Sequence, residues 1–116
     1  MDGNIIERGL RAAELFLTRR GYEILDSSLP STDIVARCED AVVFVDVSTR
    51  VGTGDGFADT RRSRAEREIA AARWLGEHAG GKPEEQVRFD DIAIMVLAND
   101  RAILRHHVNS LGSMEG

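Results

Sequence analysis

The chain contains little of what several specialised classes of protein depend on. It has one cysteine, Cys38, which excludes an internal disulfide and a cysteine-based zinc cluster. We interpret Cys38 as a small hydrophobic side chain between strands rather than as a nucleophile. No run of about eighteen apolar residues is present, and no apolar segment follows a basic N-terminus. The sequence thus shows neither a membrane span nor a secretory signal, and we expect a cytoplasmic protein.

The chain also lacks a net positive charge. The 15 Lys and Arg residues are outnumbered by 20 Asp and Glu residues, and the formal net charge is -5. Proteins that bind nucleic acid through bulk electrostatics usually have the opposite balance, so any contact with nucleic acid must be local. A length of 116 residues, of which 42% are hydrophobic, suits one compact core. We predict a single domain over residues 1–112 and a flexible tail over 113–116.

The spacing of apolar residues predicts two helices and a sheet. Amphipathic helical patterns cover residues 4–20, followed by Gly21 as a C-terminal cap, and 61–77, with Thr60 as the N-terminal cap. Short apolar runs predict strands at residues 22–25, 33–37, 41–48, 87–98 and 102–104. The connection at 38–40 is short enough to favour an antiparallel hairpin. The run at 87–98 is apolar at both parities and predicts a central strand. This order indicates an α/β domain with a mixed central sheet flanked by helices.

The strongest functional signal is a carboxylate within a buried strand. Asp46 interrupts the apolar run at 41–48, and burying its charge among Val and Phe costs several kcal/mol unless a cation or hydrogen-bond donors compensate. Asp33 lies in another brief apolar run, so two strands can bring both carboxylates to one place. Paired carboxylate oxygens are typical ligands of divalent metal ions. Asp33 and Asp46 are therefore the candidate metal ligands.

Two further residues share the strand face of Asp46. Side chains alternate along a strand, so Ser48 and Arg50 project on the same side as Asp46. Arg50 can reach toward a phosphate bound at the acids, or it can neutralise Asp46 or Asp33. It cannot act as a base, because its proton is effectively permanent.

These residues resemble the motifs of a known bacterial family. The segments that carry the resemblance are Gly9 and Ala13, Arg20-Gly-Tyr-Glu-Ile-Leu25, Asp33-Ile-Val-Ala36, Val43-Phe-Val-Asp-Val-Ser-Thr-Arg50 and Arg88-Phe-Asp90. In order and spacing they are similar to the YraN-type (UPF0102) proteins, which resemble Holliday-junction resolvases. The resemblance covers most of the chain. It implies the restriction-endonuclease-like PD-(D/E)xK fold.

The resemblance also implies a chemistry, namely metal-assisted cleavage of a phosphodiester. Asp33 and Asp46 match the acids that would hold Mg²⁺. The family has Phe-Val-Glu-Val-Lys-Thr-Arg where this chain reads Phe-Val-Asp-Val-Ser-Thr-Arg, so Ser48 replaces the catalytic lysine. A hydroxyl can hold a water but brings no positive charge and is a poor base near neutral pH. With Asp33, Asp46 and Ser48 as the catalytic candidates, we expect cleavage to be weak or lost.

Other departures from the family concern acids and basic charge. The family's Gly-Glu pair in the first helix reads Gly9-Leu10 here, and either Glu7 or Glu14 replaces the lost acid or both are solvated side chains of a helix face.

The segment after the glycine-rich loop is less basic than in the family. Its arginines alternate with glutamates, a pattern that suits a phosphate-binding track as well as a salt-bridged helix surface. The predicted nucleic-acid-binding residues are Arg50, Arg61, Arg62 and Arg64.

Three functions therefore remain open at the level of sequence. The first is nucleic-acid binding with weak or lost cleavage, the second is a scaffold for protein interaction or homodimerisation, and the third is an active Mg²⁺-dependent nuclease. The response of the acid pair to metal ions helps to distinguish these functions. If Asp33 and Asp46 are not neutralised, metal should stabilise the fold, whereas an arginine that holds them would leave metal with little effect.

Overall fold

A computed structural model of the chain describes residues 3–27, 32–51, 62–78, 86–97 and 101–109. The predicted tail at 113–116, Thr60 and Arg61 lie outside these residues. The described elements are α1 (Gly3–Arg19), β1 (Glu23–Ser27), β2 (Ile34–Cys38), β3 (Ala41–Val51), α2 (Arg64–His78), β4 (Gln86–Val96) and β5 (Ala102–His107). The predicted α/β class is confirmed. Neither described helix is long and apolar enough to cross a membrane.

The five strands form one mixed sheet in the order β1-β2-β3-β4-β5. All neighbouring strands are antiparallel except β3 and β4, which are parallel and flank α2 in the sequence. The predicted hairpin between β2 and β3 is confirmed, and Glu39 makes its tight turn with a φ of 56°. The central position, however, belongs to β3 rather than to the 87–98 run. That run forms β4, which is apolar at both parities because it contributes Ile92 and Ile94 to a core on one face of the sheet and Phe89 to a core on the other.

Each face of the sheet carries its own core, and the side chains of β3 alternate between the two. The core on the α1 face contains Val43 and Val45, and that on the α2 face contains Val42 and Phe44. Helix α1 contributes Ala13 and Leu17 to the first core. Helix α2 contributes Ala71 to the second, with Trp74 and Leu75 packed beside it. Asp46 follows the parity of Val42 and Phe44 and therefore belongs to the α2 face.

Helix α1 lies close to β3 because a glycine stands at the contact. A Cβ atom added to Gly9 would lie 2.0 Å from the Thr49 side-chain oxygen. The helix ends as predicted at Gly21, whose φ of 92° suits glycine. There the Tyr22 and Gly21 amides donate to the carbonyls of Leu17 and Thr18 over 3.0 and 3.1 Å, which is a Schellman motif.

Helix α2 begins three residues later than the sequence pattern predicts. Its N-terminal cap is Ser63 rather than Thr60. The Ser63 hydroxyl accepts from the Glu66 amide over 3.2 Å, and the Glu66 carboxylate accepts from the Ser63 amide over 2.8 Å. This reciprocal pair is a capping box, which satisfies two backbone donors at once. The box fixes where the helix starts and places Arg62 immediately before it.

Candidate functional site

The two predicted acids lie together at the boundary between β2 and β3. Ile34 pairs with Val45, so the next residue outward on each strand sets Asp33 beside Asp46. The Val47 amide donates to Oδ2 of Asp33 over 2.7 Å. Asp46 is buried and Asp33 is half-buried. The antiparallel register therefore produces the acid pair that the sequence predicts.

A single guanidinium nitrogen binds both acids. Nη1 of Arg62 lies 3.3 Å from Oδ2 of Asp33 and 3.0 Å from Oδ1 of Asp46. Both contacts are also hydrogen bonds donated by Arg62. The point at which the two carboxylates converge is thus filled by a positive charge that the chain itself supplies.

A second arginine, Arg67, enters the site from helix α2. Its side chain is 2% exposed, and its Nη2 donates to the main-chain carbonyl of Asp90 over 2.8 Å. Nε lies 3.5 Å from Oδ2 of Asp46, and Nη1 lies 2.9 Å from Oδ1 of Asp91. The guanidinium also sits 5.5 Å from the centre of the Phe89 ring. Arg67 therefore joins α2 to β3 and β4 through charge.

Asp91 is a third acid of the site, and the sequence reading missed it. It is the cross-strand partner of Asp46 in the parallel β3–β4 pair. The two carboxylates face the same side because Asp91 has the parity of Phe89, which belongs to the core on the α2 face. That parity was the signal that could have found it. Asp33, Asp46 and Asp91 thus form a row across three strands, and we call it the acid row.

The charges of the acid row are largely balanced within the site. Burial raises the pKa of the Asp46 carboxyl above its usual range, although Arg67 and Arg62 oppose the rise. Burial tends to lower the pKa of Arg62, but Asp33 and Asp46 outweigh it, so the pKa of that guanidinium rises. Three carboxylates face two guanidiniums. The arginines thus provide the compensation that a buried Asp46 requires.

The arrangement does not fit a divalent metal ion as it stands. Carboxylate oxygens of Asp33 and Asp46 are the correct donor chemistry for Mg²⁺. Yet the position between them is taken by Arg62, and one oxygen of Asp33 already accepts from a backbone amide. Within the described ranges, no group of three or more His, Cys, Asp or Glu side chains is placed to hold a metal ion.

The other predicted site residues lie at different distances from the acid row. Ser48 and Arg50 continue β3 beyond Asp46, and both are half-buried. Arg64 is exposed on the first turn of α2, where its Nε lies 3.4 Å from Glu68. Arg61 lies outside the described residues. The structure therefore brings Asp33 and Asp46 together and places Arg62 against them.

The register brings two further cationic or titratable residues near this face. Ala93 pairs with both Ser48 and Arg105, and Asp91 pairs with His107. Arg105 and His107 are exposed on β5. The rows across the sheet thus place basic residues beside the acid row, at the edge of the face that carries α2.

Glu7 and Glu14, the candidate replacements for the acid missing from the first helix, lie on α1 at the opposite face of the sheet. Helix α1 packs on the face of Val43 and Val45, whereas Asp46 points to the α2 face. Glu7 is exposed and Glu14 is half-buried on that helix. The structure brings neither glutamate into the acid row.

A separate polar cluster surrounds Asp90 on the α1 face. Its side chain is fully buried and accepts hydrogen bonds from Arg88, the Asn109 amide and the Tyr22 hydroxyl, with the His106 ring 2.9 Å away. Arg88 also donates to the Tyr22 hydroxyl. Burial tends to raise the pKa of Asp90, but bonds from His106, Arg88 and Asn109 outweigh it, so the pKa is lowered. The cluster ties β4 and β5 to the end of α1.

The fold and the acid row define an α/β protein with a mixed five-stranded sheet and an arginine-bound acid pair at its centre. The model of the uncharacterised protein family UPF0102 matches residues 10–94, and the chain belongs to that family. A UPF0102 protein of Anaeromyxobacter sp. is 38% identical over 90 residues, which are 72% of this chain and 67% of the relative. One of Rhodococcus jostii is 37% identical over 95 residues, 72% and 75% of the two chains. One of Geobacter sulfurreducens is 34% identical over 110 residues, 89% and 84%.

Proposed function

We propose that this chain is a restriction-endonuclease-like protein that binds nucleic acid and whose metal-dependent phosphodiesterase activity is weak or lost. One observation carries the proposal. The guanidinium of Arg62 lies 3.3 Å from Asp33 and 3.0 Å from Asp46, where a nuclease of this type would hold Mg²⁺.

The loss of cleavage follows from what each residue supplies. Metal-assisted cleavage needs a cation at the acids and a group that positions or polarises the attacking water. Arg62 and Arg67 supply positive charge, but a guanidinium neither activates water as a base nor coordinates it as a metal does. Ser48, at the position of the family's lysine, adds no charge. The site therefore keeps the acids without the chemistry that uses them.

The same neutralisation favours binding to a phosphate backbone. Three bare carboxylates would repel phosphate, but Arg62 and Arg67 offset most of this charge within the site. Arg50 and Arg105 then contribute local positive charge on the same face of the sheet. Arginine suits this role because its planar fork matches phosphate oxygens. The contact is local, as the acidic net charge of the chain requires.

The test is fluorescence anisotropy with labelled branched and single-stranded DNA at low salt, in EDTA. We expect binding that weakens as salt rises, and Arg50→Ala or Arg105→Ala should reduce the salt slope by about 1 for each lost phosphate contact. Arg19→Ala, an exposed arginine on α1, is the matched control and should leave affinity unchanged. Absence of binding to every DNA and RNA form at low salt would overturn the proposal.

A cleavage assay tests the alternative that the chain is an active nuclease. The same substrates are incubated with Mg²⁺ or Mn²⁺, and we expect no turnover above that of Asp46→Asn. Cleavage by the wild type that Asp46→Asn abolishes would instead establish a metal-dependent nuclease.

The exposed edge of the sheet favours homodimerisation as a second candidate. β5 is the last strand in the described sheet, and it carries Ile103 at 46% exposure with Val108 just beyond it at 54%. An open edge strand with apolar side chains is a template for pairing with another chain. A mass measured by light scattering at twice that of the chain, and reduced to the monomer by Ile103→Lys, would support this function. A monomer mass across concentration would exclude it.

A further inference from the structure

Arg62 and Arg67 bind the same acid row but differ in how firmly the fold holds them. Arg67 lies inside α2, is 2% exposed and contacts Asp46, Asp91 and the carbonyl of Asp90. Arg62 lies before the helix, and its side chain is 27% exposed. The fold thus encloses one guanidinium and leaves the other at the solvent boundary of the site.

Removal of Arg62 would leave the acid pair short of a cation. Nη1 of Arg62 contacts both Asp33 and Asp46, and of the arginine contacts described above Asp46 would keep the longer one of 3.5 Å to Arg67. The loss of a cation from buried and half-buried carboxylates is costly unless another cation enters. The oxygens that face the vacated point are hard carboxylate oxygens, the donors that Mg²⁺ and Mn²⁺ prefer.

We infer that Arg62 is an intramolecular competitor of divalent cations, which holds the acid pair in the place of a metal ion and excludes one from it. This inference rests on the proposed function in one respect, the absence of a resident metal ion from the acid pair. It does not depend on nucleic-acid binding. The acid pair is then a guanidinium site in the native chain and becomes a metal site when Arg62 is removed.

The experiment measures thermal unfolding in Mn²⁺ titrations at neutral pH without nucleic acid. The variants are Arg62→Ala, Arg62→Lys, the double variant Arg62→Ala/Asp46→Asn, and the matched control Arg64→Ala. We expect Arg62→Ala to gain a rise in midpoint of at least about 4 °C at saturating Mn²⁺ relative to the wild type. Arg62→Lys, Arg64→Ala and the double variant should respond like the wild type, because each either keeps a cation at position 62 or lacks Asp46.

A metal response of the same size in the wild type and in Arg62→Ala would overturn the inference, as would a gain that persists in the double variant. Far-UV circular dichroism establishes that each variant is folded. If Arg62→Ala does not fold, Arg62→Gln retains most of the side-chain volume without the charge and replaces it. Calorimetric titration of Mn²⁺ into the folded variant gives a second readout. Failure of DNA binding with this metal pattern intact would refute the proposed function alone.

Discussion

At the scale of single residues, the importance of Arg67 comes from its burial and its partners. A buried charge pair contributes little net stability, yet removal of one partner is costly because the other remains charged and away from water. Asp46 and Asp91 would both lose their contact with Arg67. Arginine at this position is therefore a requirement of the acid row rather than a surface feature of the helix.

We predict that Arg67→Met lowers the free energy of unfolding by about 3 to 5 kcal/mol, in the range found when a buried ion pair is broken. Urea denaturation, followed by the fluorescence of Trp74, the single tryptophan, measures it. Arg64→Met is the control on the same helix, because Arg64 is exposed and its pairing with Glu68 contributes at most about 1 kcal/mol. Equal effects of the two substitutions would contradict the assigned role.

The residue scale also shows what the sequence could and could not predict. Asp33 and Asp46 were predictable because each carboxylate stands in an apolar run. Arg67 was not singled out as their partner, although it lies three and four residues before the buried Ala70 and Ala71, on the same helix stripe. A pattern analysis that assigns arginine to solvent misses such a residue. The position of Arg62 depends on the start of α2, which the capping box of Ser63 and Glu66 decides.

At the scale of elements, the close approach of α1 to β3 depends on Gly9. A Cβ atom at this position would overlap the Thr49 side chain, with 2.0 Å to its oxygen and 3.0 Å to its Cβ. The β-branched threonine has little freedom to turn away in a packed strand. The helix would have to shift outward, and the core that Ala13 and Leu17 form with the sheet would shift with it.

We therefore predict that Gly9→Ala destabilises the fold by about 1 to 3 kcal/mol, the usual cost of overpacking. Gly76→Ala is a matched control in α2. In the described part of the chain, no atom beyond the neighbouring helix backbone lies within 4 Å of the added methyl there, so the better helix propensity of alanine should raise stability by about 0.5 to 1 kcal/mol. Chemical denaturation compares both variants with the wild type. A stabilising Gly9→Ala would show that the helix does not pack this closely.

The sequence predicts the helices and strands and their order along the chain better than it predicts the order of the strands within the sheet. The seven elements, the hairpin at Glu39 and the glycine cap at Gly21 follow from local patterns of polarity and turn residues. The position of β4 next to a central β3 does not follow from local patterns. Strand order depends on which strand edge β4 pairs with after the crossover through α2. Apolar residues at both parities indicate burial on both faces, and β3 and β4 share this property, so the pattern does not tell which of the two strands is central.

At the scale of the whole molecule, the cluster around Asp90 makes the free energy of unfolding depend on pH in the alkaline range. Burial, followed by the nearby charge of Asp90, raises the pKa of Tyr22 to about 12 from the usual 10.0. The folded state therefore favours the protonated phenol. This contribution to stability is complete below the unfolded pKa of 10.0 and is lost as pH rises toward about 12.

We expect the unfolding free energy of the wild type to fall more steeply between these two pH values than that of Tyr22→Phe. Urea denaturation across the alkaline range measures both slopes. Because Tyr22 is the single tyrosine, its tyrosinate absorbance reports the ionisation directly. Parallel slopes for the two proteins would show that the phenol ionises alike in the folded and unfolded chains.

Asp90 and Asp91 are consecutive acids that serve opposite faces of the sheet, one in the polar cluster and the other in the acid row. A slip of β4 by one residue against β3 would turn both side chains over, since strand faces alternate at every position. Asp91 would then lie on the face away from Arg67 of α2, whereas Asp90 would keep Arg88, which lies two residues away on the same strand and turns over with it. Misaligned chains would therefore bury Asp91 without its arginine, and this cost favours the native alignment of β4. Replacement of Asp91 by asparagine would lower this cost and allow alternative alignments to compete with the native one.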